Sequence, residues 1–150
     1  MARRLLFVCL GNICRSPTAE AVTRAKAEAR GMELEIDSAG TGAWHLGDAP
    51  DLRMQAAARK AGYDLSGLRA RQVSEADFHA FDLMIAMDKR NMADLVRLCP
   101  PEASTPVALF LPYGPTTLTE VPDPYYEGGF DRVVALIETA ADGLLDRLQG

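Results

Sequence analysis

Four short apolar runs alternate with longer segments of helical character along the chain. Leu5-Leu6-Phe7-Val8 is apolar at every position and ends at a glycine-containing loop, the pattern of a strand buried on both faces. Leu34-Glu35-Ile36-Asp37-Ser38 alternates, which predicts a second strand. Leu83 to Met87 and Val107 to Leu111 predict a third and a fourth. Ser16-Pro17 opens the first predicted helix, with Ser16 as N-cap, and Gly31 stops it after an alanine-rich, charged stretch to Arg30. Asp51 to Ala61 predicts a second helix, closed by Gly62, and a short one is expected near Ser74 to Phe78. Asp88 caps another that runs to about Leu98. The clearest helix is the last: Phe130, Val133, Val134, Ile137, Ala141, Leu144, Leu145 and Leu148 recur on one face. The stretches Ala39 to Pro50 and Gly114 to Gly129 read as loops, the second long and Pro-rich, a kind that is often functional. Strands alternating with helices imply right-handed crossovers and an α/β fold with a parallel sheet covered on both faces.

Composition narrows the class. The 150 residues are 48% hydrophobic and 25% charged, which suits one globular domain over residues 1–150 with its own core. With 16 basic and 21 acidic residues the net charge is −5, the wrong sign for non-specific attraction to nucleic acid or anionic membrane. Three cysteines, an odd count, favour a reducing compartment over a disulfide scaffold. Arg3-Arg4 followed by an apolar run resembles a signal peptide only in outline, because the run stops at Gly11-Asn12. A cytoplasmic protein is expected.

The chemistry concentrates after the first strand, in Cys9-Leu10-Gly11-Asn12-Ile13-Cys14-Arg15-Ser16. In an open α/β sheet this turn is where ligands bind. Backbone amides and the dipole of the following helix favour an anion there, and Gly11 and Asn12 tolerate left-handed backbone that turns amides inward. The Arg15 fork matches two phosphate oxygens, and the positive surroundings favour a Cys9 thiolate to which Ser16 can donate. The loop thus offers a nucleophile and an oxyanion clamp. Zinc is disfavoured: four residues separate Cys9 from Cys14, and both histidines lie far off in sequence. No Gly-Lys-Ser/Thr triplet marks a nucleotide P-loop.

The string Val8-Cys9-Leu10-Gly11-Asn12-Ile13-Cys14-Arg15-Ser16-Pro17 closely resembles the signature of the low-molecular-weight protein tyrosine phosphatases. Asp37-Ser38-Ala39-Gly40, Trp44, Ala70-Arg71-Gln72-Val73, Met87-Asp88 with Asn91, and Asp123-Pro124-Tyr125-Tyr126 extend the resemblance over essentially the whole chain. It implies a single-domain three-layer sandwich whose four-stranded parallel sheet has the order 2-1-3-4. It implies hydrolysis of phosphotyrosine through a phosphocysteine on Cys9, with Arg15 and the amides of Leu10, Gly11, Asn12, Ile13, Cys14 and Ser16 binding phosphate. No metal or cofactor is then needed, since Arg15 and the amides compensate the charge.

A phenolate leaving group, with a conjugate acid near pKa ~10, calls for a proton donor at neutral pH. Asp-Pro alone reads as a turn; the resemblance makes Asp123 the general acid and base. It likewise makes Trp44, Tyr125 and Tyr126 walls of a slot for an aryl phosphate, Ser38 a support of the phosphate loop, and Cys14 a redox partner able to form a reversible disulfide with Cys9. Asp88 reads as a helix cap, Arg69 and Arg71 as a solvated stretch, His45 and His79 as surface or packing residues, and Cys99 as an inert helix end. The expected partner is a tyrosine-phosphorylated protein, or phosphate in the site, with the chain a monomer or weak dimer. Two alternatives share the fold. An arsenate reductase-like thiol enzyme needs a further cysteine pair, and only Cys99 lies outside the loop. A phosphoarginine phosphatase resembling this family carries Thr where this chain has Ile13. A binding module without turnover needs neither thiol nor acid.

Overall fold

In a computed structural model, which describes residues 2–150, four strands form one parallel sheet in the order β2-β1-β3-β4. The strands are β1 (Arg4–Cys9), β2 (Glu35–Gly40), β3 (Leu83–Ala86) and β4 (Val107–Leu109). The helices are α1 (Arg15–Ala29), α2 (Leu52–Lys60), α3 (Asp77–Ala80), α4 (Lys89–Leu98), α5 (Pro124–Glu127) and α6 (Phe130–Gln149). Strand β1 is central: Phe7 pairs with Ser38 of β2 and with Ile85 of β3. Its side chains alternate between two cores. Leu5, Phe7 and Cys9 face a cluster with Val22 of α1, Met54 of α2 and Ile137 and Leu144 of α6. Leu6 and Val8 face a second cluster with Phe78 of α3 and Leu95 of α4. This is the expected three-layer sandwich, and it explains why β1 is apolar at every position. The expected face of α6 is the buried one, from Val133 to Leu145.

The structure moves several expected boundaries. Strand β4 ends at Leu109 rather than Leu111, and Leu111–Tyr113 turns into a 3-10 helix. Pro112 explains the stop, because it has no N–H to donate to a ladder. Strand β2 runs on to Gly40, into a stretch expected to be loop, because Ala39 and Gly40 pair with Val8 and Cys9. Strand β3 stops one residue short of Met87. The short α3 lies later than expected, since the Asp77 carboxylate accepts the Ser74 N–H and holds 74–77 as a turn. The long connection before α6 contains α5, whose N-cap is Asp123.

Candidate active site

The loop from Cys9 to Ser16 leaves the carboxyl end of β1 and enters α1 at Arg15. Ser16 is therefore not the N-cap; Cys14 holds that position without a side-chain cap bond. The left-handed residue is Asn12 alone, at φ 57°, and Gly11 does not take that conformation. Among the described residues, the N–H groups of Leu10, Gly11, Ile13, Cys14 and Arg15 find no acceptor in the chain. A run of unpaired amides at a helix N-terminus is a ready anion site.

Cys9 is buried at the end of β1, and its sulfur accepts the Asn12 N–H at 3.3 Å. The Ser16 hydroxyl lies 3.0 Å from the same sulfur. Asn12 Nδ2 donates to Ser16 Oγ at 2.9 Å, which leaves the hydroxyl hydrogen to the sulfur at 3.0 Å or to the more distant Ala39 carbonyl at 3.4 Å. The other Nδ2 hydrogen goes to Ser38 Oγ at 3.0 Å, and Asn12 Oδ1 accepts the Arg71 N–H at 3.0 Å. Asn12 and Ser16 thus stand behind the sulfur and do not line the cavity, unlike the rest of the loop. Ser38 donates to Glu20 at 2.7 Å, and Arg24 closes on Glu20 at 2.6 Å. One hydrogen-bonded chain therefore runs from the surface of α1 to the sulfur. Gly40 permits the close approach: a Cβ there would fall 2.8 Å from the Leu10 carbonyl oxygen.

Arg15 is buried with its guanidinium across the mouth of the loop. Its Nη1 donates to Asp88 at 2.7 Å and to the Val121 carbonyl at 3.1 Å; Nη2 lies 3.4 Å from Asp123. Burial alone would pull this guanidinium down, but Cys9, Asp88 and Asp123 outweigh it and hold it above its ordinary value. Asp88 has two tasks, since its other oxygen caps α4 through the Asn91 N–H at 2.7 Å. The cap was legible from sequence; the bond to Arg15, across 73 positions, was not. Asp123 likewise makes two contacts. It caps α5 through the Tyr125 N–H at 3.1 Å and turns its other oxygen to Arg15.

Above the loop opens a cavity of about 370 Å³, bounded by Trp44, His45, Asp123, Tyr125 and Tyr126. Tyr125 meets Tyr126 edge to face, with ring centroids 4.9 Å apart. Trp44 and Tyr126 are 73% and 88% exposed, so they form a rim and not a buried wall. His45, read as a surface or packing residue, lies 6.2 Å from the Tyr125 ring and lines the cavity. Arg53, which sequence reasoning missed, holds Tyr125 from behind. Its guanidinium lies 5.6 Å from the ring centroid and donates to the Tyr125 carbonyl at 3.1 Å. Arg71 is not part of a solvated stretch, because it bridges Asp37 and Asp77, each at 3.1 Å. That bridge fixes the backbone that holds Asn12. Cys14 is buried in the same loop, and burial first, then Asp51 and Cys9, push its thiol well above the usual range. Cys99 stands apart at the end of α4. Among the described residues no cluster of His, Cys, Asp and Glu could hold a metal ion, and no helix is long and apolar enough to cross a membrane.

Comparison with known proteins agrees with this geometry. A family model described as low molecular weight phosphotyrosine protein phosphatase matches residues 4–150. The low molecular weight protein-tyrosine-phosphatase YfkJ of Bacillus subtilis is 44% identical over 97% of this chain and 95% of its own length. A protein tyrosine phosphatase from Entamoeba histolytica, solved with Hepes in its active site, superposes with a TM-score of 0.93 at 39% identity, covering 97% of this chain and 96% of that one. A Drosophila arginine phosphatase superposes with a TM-score of 0.91 at 29% identity, covering 97% and 98%. A match over nearly the whole length, with close to half the residues shared, means that the chain belongs to the low molecular weight protein-tyrosine phosphatases, a family of phosphoric monoester hydrolases.

Proposed function

We propose that this chain hydrolyses phosphotyrosine in proteins in two displacements at Cys9. In the first, the Cys9 thiolate attacks phosphorus, the S–P bond forms and the P–O bond to the aryl group breaks. Asp123 gives its proton to the departing phenolate. In the second, Asp123 takes a proton from water, the water oxygen attacks phosphorus, and the S–P bond breaks to release phosphate and restore the thiolate. Arg15 and the loop amides compensate the phosphoryl oxygens in both steps, the kind of preorganised electrostatics that lowers such barriers most. One observation carries this reading. A buried sulfur with two hydrogen-bond donors, a buried arginine and a carboxylate converge on one cavity.

The slot supports an aryl substrate. Tyr125 and His45 offer ring surfaces, and Ile13 presents a hydrocarbon side chain to the same cavity. These features favour phosphotyrosine over phosphoarginine, despite the likeness to the Drosophila enzyme. The position of Cys99 outside the cavity weighs against a disulfide-shuttling arsenate reductase. Hydrolysis of p-nitrophenyl phosphate in EDTA tests the reading. Cys9→Ser abolishes turnover, and Asp123→Asn slows it most for aryl esters with basic leaving groups. Turnover that survives Cys9→Ser overturns the mechanism.

A further inference from the structure

A second cavity, of about 390 Å³, adjoins the first. Leu10 and Trp44 line both, so they form the divide between them. The Trp44 ring rests on Gly42, where a Cβ would fall 2.0 Å from Cζ3. The far wall is one face of α4: Arg90, Ala93, Asp94 and Arg97, at the spacing of a single helical stripe. Two arginines here meet one carboxylate. Asp94 pairs with Arg97, whereas Arg90 has no carboxylate partner among the described residues. The wall therefore carries an excess positive charge in a chain of net charge −5.

Helix stability does not account for Arg90. It stands in the first turn of α4, where the helix dipole disfavours a cation, and Asp88 already caps that turn. It is exposed and makes no hydrogen bond within the fold among the described residues. A cation kept at an unfavourable place, beside the phosphotyrosine slot and across a shared tryptophan, fits a substrate contact. Resting on the function proposed above, we infer that this cavity takes the carboxylate of an acidic residue flanking the phosphotyrosine. Arg90 is its main partner, and Arg97 a second one partly occupied by Asp94.

The test is a glutamate scan in a neutral phosphotyrosyl peptide, from three positions before the phosphotyrosine to three after, with kcat/KM measured at each. Exposed ion pairs of this kind correspond to about a two- to fivefold gain, which salt should suppress. The gain is expected at one position or a neighbouring pair. Arg90→Gln should abolish it, and Asp94→Asn, which frees Arg97, should enlarge it. A flat scan, or a gain that survives Arg90→Gln combined with Arg97→Gln, overturns the subsite. Turnover of the neutral peptide by the unaltered protein separates the two readings. Its absence sinks the phosphatase reading, whereas its presence with a flat scan sinks the subsite alone.

Discussion

Asn12 is where the fold and the proposed chemistry meet, and its replacement gives quantities that can be worked in advance. Its amide makes three hydrogen bonds, to Ser16, Ser38 and the Arg71 N–H. Each contributes about 1 kcal/mol net, so removing all three costs about 3 kcal/mol. Ser16 and Ser38 keep other partners, Cys9 and Glu20, which holds the loss near that figure. The backbone adds a separate cost. At φ 57° an alanine pays ~1–2 kcal/mol that glycine does not. Asn12→Gly is therefore expected to lose about 3 kcal/mol and Asn12→Ala about 4–5 kcal/mol in urea unfolding. Both free Ser16 and let the Cys9 sulfur shift, and a displacement near 1 Å costs on the order of 10²-fold in kcat. Equal unfolding energies for the two variants would refute the backbone argument. Unchanged turnover of p-nitrophenyl phosphate would refute the claim that Asn12 positions the sulfur.

Other consequences follow from single contacts. Gly143→Ala should destabilise the fold by ~1–3 kcal/mol, although alanine favours helix, because its Cβ would fall 1.8 Å from the Tyr113 carbonyl oxygen; a rise in the urea midpoint would contradict this. Burial keeps Cys14 protonated at neutral pH, so iodoacetamide should modify Cys9 first and inactivate the protein in step with that label. Mass spectrometry showing Cys14 labelled ahead of Cys9 would count against it. Mild peroxide should oxidise the Cys9 sulfur to the sulfenic acid, which the Cys14 thiol attacks with loss of water to leave a disulfide. Recovery of sulfinic Cys9 alone would oppose that pairing. Tyr63 donates to Glu138 at 2.8 Å, and burial, then that carboxylate, push its phenol from 10.0 up to about 12. The folded state holds this proton more tightly than the unfolded chain, so the stabilisation is complete below pH 10.0 and lost as pH rises through about 12. Tyrosine absorbance at 295 nm should show one late step that Tyr63→Phe removes.

Much of this was legible in the residue pattern, and the misreadings share a cause. Ser16-Pro17 looks like a helix start, yet the N-cap falls two residues earlier, at Cys14, and the Ser16 hydroxyl is engaged by Cys9 and Asn12 instead. Arg69 and Arg71 look alike in sequence. Among the described residues Arg69 reaches only carbonyls within three residues of itself, whereas Arg71 spans 34 positions to Asp37. His45 and Arg53 carry no local signal of a ligand site; Tyr125 of α5 makes His45 part of the cavity wall and Arg53 the support behind that wall.

Local chemistry was enough to set the alternation of strands and helices, the order in which they come, and the phosphate-shaped loop between Cys9 and Ser16. Periodicity and turn preference act within a few residues, and so does the affinity of a helix start for anions. Which carboxylates meet Arg15, which side chain steadies Asn12, and which arginine beside Trp44 has no carboxylate partner among the described residues depended on packing. Those pairings join residues far apart in the chain, and their strength comes from burial and mutual distance, quantities that exist only once the sheet and its two helical layers have closed together.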